Sequence, residues 1–139
     1  MDQAAIISFL QTSLGGVDTV VDEGNHFFFY DPQKNIPVDH RFPFVTLTTS
    51  DKYDQFSNLN RDGVYRLNIG LRKETFKSLF PTEPANVDYS ASNQIMPHPV
   101  YAKMYWVCIL NPSDATFEQV RPLLVEAYEQ AKARIDRKG

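Results

Sequence analysis

The chain has 139 residues, 42% of them hydrophobic and 22% charged, with a formal net charge of -3. That length suits one domain able to bury roughly 70% of its unfolded surface, and ten phenylalanines, seven tyrosines and one tryptophan exclude the aromatic-poor composition of a disordered chain. The acidic balance gives the molecule as a whole no long-range attraction for phosphate backbones or anionic membranes, so DNA contact would require a local basic patch.

In chain order, Asp2 or Gln3 opens a predicted helix with Ile6, Ile7, Leu10 and Leu14 at helical spacing, and Gly15-Gly16 ends it. Val17 to Val21 and His26 to Tyr30, joined by a Gly24-Asn25 turn signal, predict a hairpin closed by Asp31-Pro32. Residues 33–41 are polar, contain Pro37 and lack periodicity, which predicts a solvated loop. Phe42 to Thr49 reads as a strand, its Thr46, Thr48 and Thr49 suiting a half-exposed sheet. Residues 50–61 are polar again, with Tyr53 and Phe56 three apart in a helical turn or a loop pinned to the core.

Val64 to Ile69 alternates as a strand with one buried face. Because Val64, Leu67 and Ile69 do not share parity, the pattern allows a bulge or a strand covered on both sides. Arg72 to Phe80 predicts a short helix with Leu71, Phe76, Leu79 and Phe80 inward, stopped by Pro81. Residues 82–96 are weakly patterned, anchored by Val87, Tyr89 and Ile95, and lead into a loop over Met96 to Tyr101. Met104 to Leu110 is the last predicted strand, followed by a turn at Asn111-Pro112-Ser113-Asp114.

Thr116 and Gln119 have the spacing of a capping box, and Phe117, Val120, Leu124, Ala127, Ala131 and Ile135 continue as one apolar helix face. Pro122 fits that helix best within its first turn. Lys132, Arg134, Arg137 and Lys138 suit the negative helix end. Helices at both ends of the chain with a strand meander between them predict a single α+β domain over residues 1–139. Its architecture is a two-layer sandwich, an antiparallel sheet with the N- and C-terminal helices packed on one face.

The strand and helix from Val64 to Phe80, then Pro99 and Tyr101 shortly before Trp106, and finally Leu123-Leu124 with Ala127-Tyr128 invite a comparison. In these residues the chain resembles the MmcQ/YjbR-like proteins, and more closely an uncharacterised bacterial branch known as a domain of unknown function. The resemblance implies a CyaY-like α+β fold and a DNA-binding role of the double-wing type. It brings no catalytic residues.

Among chemistry-bearing residues, His26, His40 and His98 sit in separate segments with no zinc-motif spacing, and no metal or other cofactor is expected. Cys108, the only cysteine, excludes an intrachain disulfide and reads as a small buried hydrophobe within an apolar strand. Neither a nucleophile elbow nor a phosphate-cradling glycine loop is found, so no catalytic residue is assigned. Asp51, Asp54, Asp62 and Asp88 read as solvated loop carboxylates.

Two features remain. Arg66 and Asn68 alternate on one strand and so share a sheet face, and Pro97 and Pro99 restrict the backbone around His98. If that face is free of helices, Arg66, Asn68, His98, Tyr101 and Tyr105 can surround a concave ligand site, with Arg66 attracting an acid group and Asn68 orienting it. The alternative is a weak DNA-binding surface built on Arg61, Arg72, Lys73 and Lys77, diluted by Asp62 and Glu74.

The functional expectation is a non-enzymatic domain binding a small molecule or a protein. A DNA-binding accessory role is the alternative, and an enzyme using His98 comes third. With no secretory leader and no apolar run of about 18 residues, a cytoplasmic protein without membrane contact is expected, as a monomer or weak homodimer.

Overall fold

The computed structural model describes residues 1–138, apart from the side chains of Val38 and Lys138. Helix α1 (Gln3–Thr12) starts where the Asp2 carboxylate accepts the Ala5 N–H at 2.8 Å, a cap for one of the N–H groups that a helix start leaves unpaired. The hairpin of β1 (Val17–Asp22) and β2 (Asn25–Tyr30) follows, with the expected turn between them. Strands β3 (Val45–Thr48), β4 (Arg66–Gly70), β5 (Met96–Pro97) and β6 (Trp106–Leu110) complete one antiparallel sheet of order β1-β2-β3-β4-β6-β5. Helix α2 (Lys73–Leu79) follows β4, and α3 (Asp114–Lys138) closes the chain.

The register sorts the side chains into two faces. Val45, Leu47, Leu67, Ile69, Val107 and Ile109 point to one side and form the main core with Phe28, Ile6 and Leu10 of α1, and Phe117, Val120, Leu124 and Ala127 of α3. This is the two-layer sandwich, with both terminal helices on one sheet face. On the opposite face, Thr46, Asn68, Cys108 and Met96 form one row across the strands, and Thr48, Arg66 and Leu110 form the next. Segments from the β3–β4 and α2–β5 connections cover part of that second face, where Leu59, Met96, Cys108 and Leu110 make a smaller cluster flanked by Val64, Val87 and Tyr89. Strand β4 is therefore buried on both sides, which explains its mixed parity.

Several local expectations change. Met96-Pro97 is a strand rather than loop, because its only sheet neighbour is β6 and a proline is tolerated on an edge. Leu79 is 38% exposed and no residue of α2 is fully buried; α2 packs through the half-buried Phe76, with Leu71 and Phe80 beyond its ends. The 33–41 segment contains a single 3-10 turn, and its last residue is not solvated: Arg41 bridges Asp18 and Asp31 at 2.8 and 3.1 Å and stacks on Phe29. Tyr53 and Phe56 are exposed and pin their loop to Phe27 and Tyr89 rather than to the main core.

Helix α3 begins earlier than its Thr116 signal, with the Ser113 hydroxyl accepting the Thr116 N–H at 3.1 Å. Pro122 consequently lies inside α3 rather than in its first turn, on the exposed side, where it cannot donate to the Glu118 carbonyl. Of the basic residues near the helix end, Lys132, Arg134 and Arg137 lie in α3, and the Lys138 side chain falls outside the described residues. No helix is long and apolar enough to cross a membrane among the described residues.

Candidate functional site

On the second sheet face the rows of side chains end in a hollow of about 820 Å³. Its floor contains Thr46, Thr48, Arg66 and Asn68 of the central strands, Asp54 from the β3–β4 connection, and His98. The walls include Phe27, Phe42, Tyr53, Val100, Tyr101, Met104, Tyr105 and Trp106. The hollow continues past the end of β4 at Gly70-Leu71 to Gln130, Ala131 and Arg134 of α3. The arrangement is an apolar, aromatic wall around a small set of fixed polar groups, the usual composition of a small-molecule site.

Arg66 is 1% exposed and almost fully committed. Its Nε donates to Asn68 Oδ1 at 2.8 Å, Nη1 donates to Asp54 Oδ1 and Ser57 Oγ at 3.0 Å each, and Nη2 donates to Asp54 Oδ2 at 2.6 Å. The Asp54 pair is therefore bidentate and nearly dry. Burial pushes the Asp54 carboxyl up, but the Arg66 hydrogen bonds and charge outweigh it and hold the group below the usual carboxylate range. Asn68 completes the network: its amide lies within hydrogen-bond range of the Thr46 and Thr48 hydroxyls, at 3.0 and 3.3 Å. Asp54 was not legible as a site residue, and the solvated-carboxylate reading is wrong for it; its side chain is only 11% exposed.

His98 follows Met96 by two residues, so it shares Met96's side of the sheet, and its N–H extends the ladder to the Trp106 carbonyl at 2.9 Å. The backbone then turns so that the Val100 and Tyr101 N–H groups both donate to Nδ1 at 3.0 Å. Two donors on Nδ1 require it to be unprotonated, so the neutral ring carries its hydrogen on Nε2. That Nε2–H has no partner among the described residues, and His98 borders the hollow while only 4% exposed. Burial, reinforced by the Arg66 charge and opposed by Asp54, lowers the ring pKa to about 3. At neutral pH this is a fixed hydrogen-bond donor, not a proton shuttle.

Trp106 reaches its wall position over Gly70, where an added Cβ would stand 2.9 Å from the indole. Tyr105 precedes it in left-handed backbone at φ 68, packs on Phe76, and accepts the Leu71 N–H at 3.1 Å. Glu126 of α3 fixes the adjacent corner by accepting the Arg72 N–H at 3.0 Å and the Thr75 hydroxyl at 2.6 Å. Cys108 lies below the floor with no exposure, and burial pushes its thiol up to about 12, which makes it inert.

The profile of a family of unknown function, DUF6194, matches residues 1–139. The chain belongs to that family. No curated protein matches it, and no solved structure does.

In this DUF6194 chain all five residues read as ligand candidates, Arg66, Asn68, His98, Tyr101 and Tyr105, line the one hollow. The expected role of Arg66 changes, since its charge is already met by Asp54. The four residues of the DNA alternative are spread over different settings. Arg61 donates to the Ser57, Asn58 and Ser90 carbonyls, Arg72 and Lys73 border the hollow, and Lys77 is exposed on α2. Sequence reasoning missed Asp54, Phe42, Trp106 and Arg134. Their separation along the chain carries no shared signal, although the exposed Phe42 and the lone tryptophan are residue types enriched at binding surfaces.

Proposed function

We propose that the chain is a small-molecule binding domain whose ligand sits in the hollow on the second sheet face. The observation that carries this reading is His98: a buried imidazole held by two backbone N–H groups, with its remaining donor unspent at the border of an aromatic-walled cavity. A donor held in one direction at the edge of an apolar wall is the kind of placed polar group that orients a ligand acceptor. The bidentate Asp54–Arg66 pair and Asn68 keep the floor rigid, so the ligand meets a preformed surface.

The tyrosines and Trp106 supply contact area, and a volume of about 820 Å³ suits a drug-sized molecule better than a peptide segment. With the His98 ring near pKa 3 and Cys108 inert, the floor offers recognition rather than proton transfer or nucleophilic attack. A binding role without catalysis is the reading supported by this chemistry.

The test is a metabolite screen by thermal shift and Trp106 emission, with short DNA duplexes included at low salt. A true ligand raises the melting temperature increasingly as its concentration exceeds Kd, perturbs the single tryptophan, and binds roughly tenfold or more weakly to His98→Asn, which keeps an acceptor for the loop but lacks Nε2–H. Stabilisation by duplex DNA alone, or hits indifferent to His98→Asn, would count against the proposal.

A further inference from the structure

The protein is net acidic, but the lining of its hollow is not. Arg66, Arg72, Lys73 and Arg134 border it, with Asp54 as the one lining carboxylate, whereas the whole chain carries -3. These charges divide by depth. On the floor Arg66 and Asp54 neutralise each other, and an anion entering there would meet the Asp54 carboxylate as well as the guanidinium. Arg72, Lys73 and Arg134 are exposed, and none has a carboxylate partner among the described residues. Glu126, which sits at the same corner, spends its oxygens on the Arg72 backbone N–H and the Thr75 hydroxyl.

We infer that the ligand is an amphipathic organic anion, with an oxyanion head group held at the mouth by Arg72, Lys73 and Arg134 and an apolar body lying against Tyr101 and Trp106. This rests on the small-molecule reading of the hollow and specifies its chemistry. The body presents one hydrogen-bond acceptor, a carbonyl or ether oxygen, to His98 Nε2–H, because the ring offers only a donor at that position. Three cations at the opening attract an anion against the unfavourable field of the rest of the molecule, and an apolar wall raises their effect by excluding water. A cationic or zwitterionic ligand would waste that arrangement, and a fully neutral one would make no use of it.

The probes are anilinonaphthalene sulfonate and its uncharged parent, phenylnaphthylamine. They share the aromatic body and differ in the acid group. Binding is followed at low salt by probe emission and by quenching of Trp106. Wild type is expected to bind the sulfonate about tenfold more tightly than the neutral probe, with that preference shrinking as salt screens the mouth. The triple substitution Arg72→Gln, Lys73→Gln, Arg134→Gln changes exposed side chains only and should bring the two affinities together without weakening the neutral probe. Equal affinities in wild type, or a sulfonate preference that survives the triple substitution, overturn the inference and leave the cavity reading intact. Failure of both probes to bind wild type overturns the cavity reading and this inference with it.

Discussion

The two faces of the central sheet are both buried at β4, yet they are built on opposite principles. On the helix side Leu67 and Ile69 pack among aliphatic and aromatic side chains from α1, α3 and the neighbouring strands. On the other side Arg66 and Asn68 are equally hidden, but their neighbours are Asp54, Ser57, Thr46 and Thr48. The first face gains free energy simply by leaving water, about 25 cal/mol for each Å² of apolar surface removed. The second must replace every lost water contact with a placed partner, and gains little beyond that. The second face is thus a fixed polar floor, and the proposed ligand reading rests on it.

The strongest way to break this contrast is to unpair the floor. Arg66→Met should destabilise the protein by on the order of 3–5 kcal/mol in chemical denaturation, because it strands the Asp54 carboxylate in a nearly dry position. Adding Asp54→Leu should recover most of that loss, since a well-packed apolar pair of similar volume is commonly as stable as a buried ion pair. Recovery of stability together with loss of ligand binding would separate the two roles. If the double variant stays as unstable as Arg66→Met, the pair is a structural element in its own right and the contrast between the faces weakens.

The same contrast sets what can be read from the residues alone. Apolar spacing locates α1, the β1–β2 hairpin and the buried face of α3, because a core of this kind depends on period and hydrophobicity. Arg66 and Asn68 alternate with Leu67 and Ile69 just as they would on a wet antiparallel sheet. Only the fold back of residues 50–61, bringing Asp54 onto Arg66, distinguishes a buried polar floor from a solvated one. His98 was legible as a restricted residue through its flanking prolines, but the two N–H donors on Nδ1 depend on the turn at Val100 and Tyr101. Arg134 joins the mouth only because α3 crosses the end of β4, where Gln130 Nε2 donates to the Gly70 carbonyl at 3.2 Å. No local pattern encodes a contact over 60 residues of chain.

A second test sharpens the contrast by pH. The His98 pKa falls from 6.5 in an exposed ring to about 3 in the folded protein, so the unfolded chain binds the extra proton between those values. Its contribution is complete above pH 6.5 and is lost progressively as pH falls toward 3. Between pH 7 and 5 this one group should cost about 2 kcal/mol. The Asp54 shift has the same sign but acts lower, below the ordinary carboxylate value of 3.8. His98→Asn should therefore show a stability profile flatter by about 2 kcal/mol over pH 7 to 5 in urea titrations. An unchanged slope would mean that the ring is protonated without penalty, and the fixed-donor assignment would fall.

The smallest expected effect probes where the two faces meet, at the end of β4. Gly70→Ala places a methyl 2.9 Å from the Trp106 indole, closer than neighbouring side chains tolerate. Overpacking commonly costs about 1–3 kcal/mol, whereas replacing glycine where the backbone is not left-handed returns about 0.4–1 kcal/mol through the unfolded state. The net loss should be about 1 kcal/mol, because the half-buried indole can move toward the hollow rather than force β4 aside. That movement is the informative part. A shifted Trp106 emission with altered probe affinity and nearly native stability would show that the wall of the hollow can be repositioned independently of the core. A large cooperative loss would instead show that Trp106 is held as firmly as Leu67, and that the boundary between the faces lies farther out than Gly70.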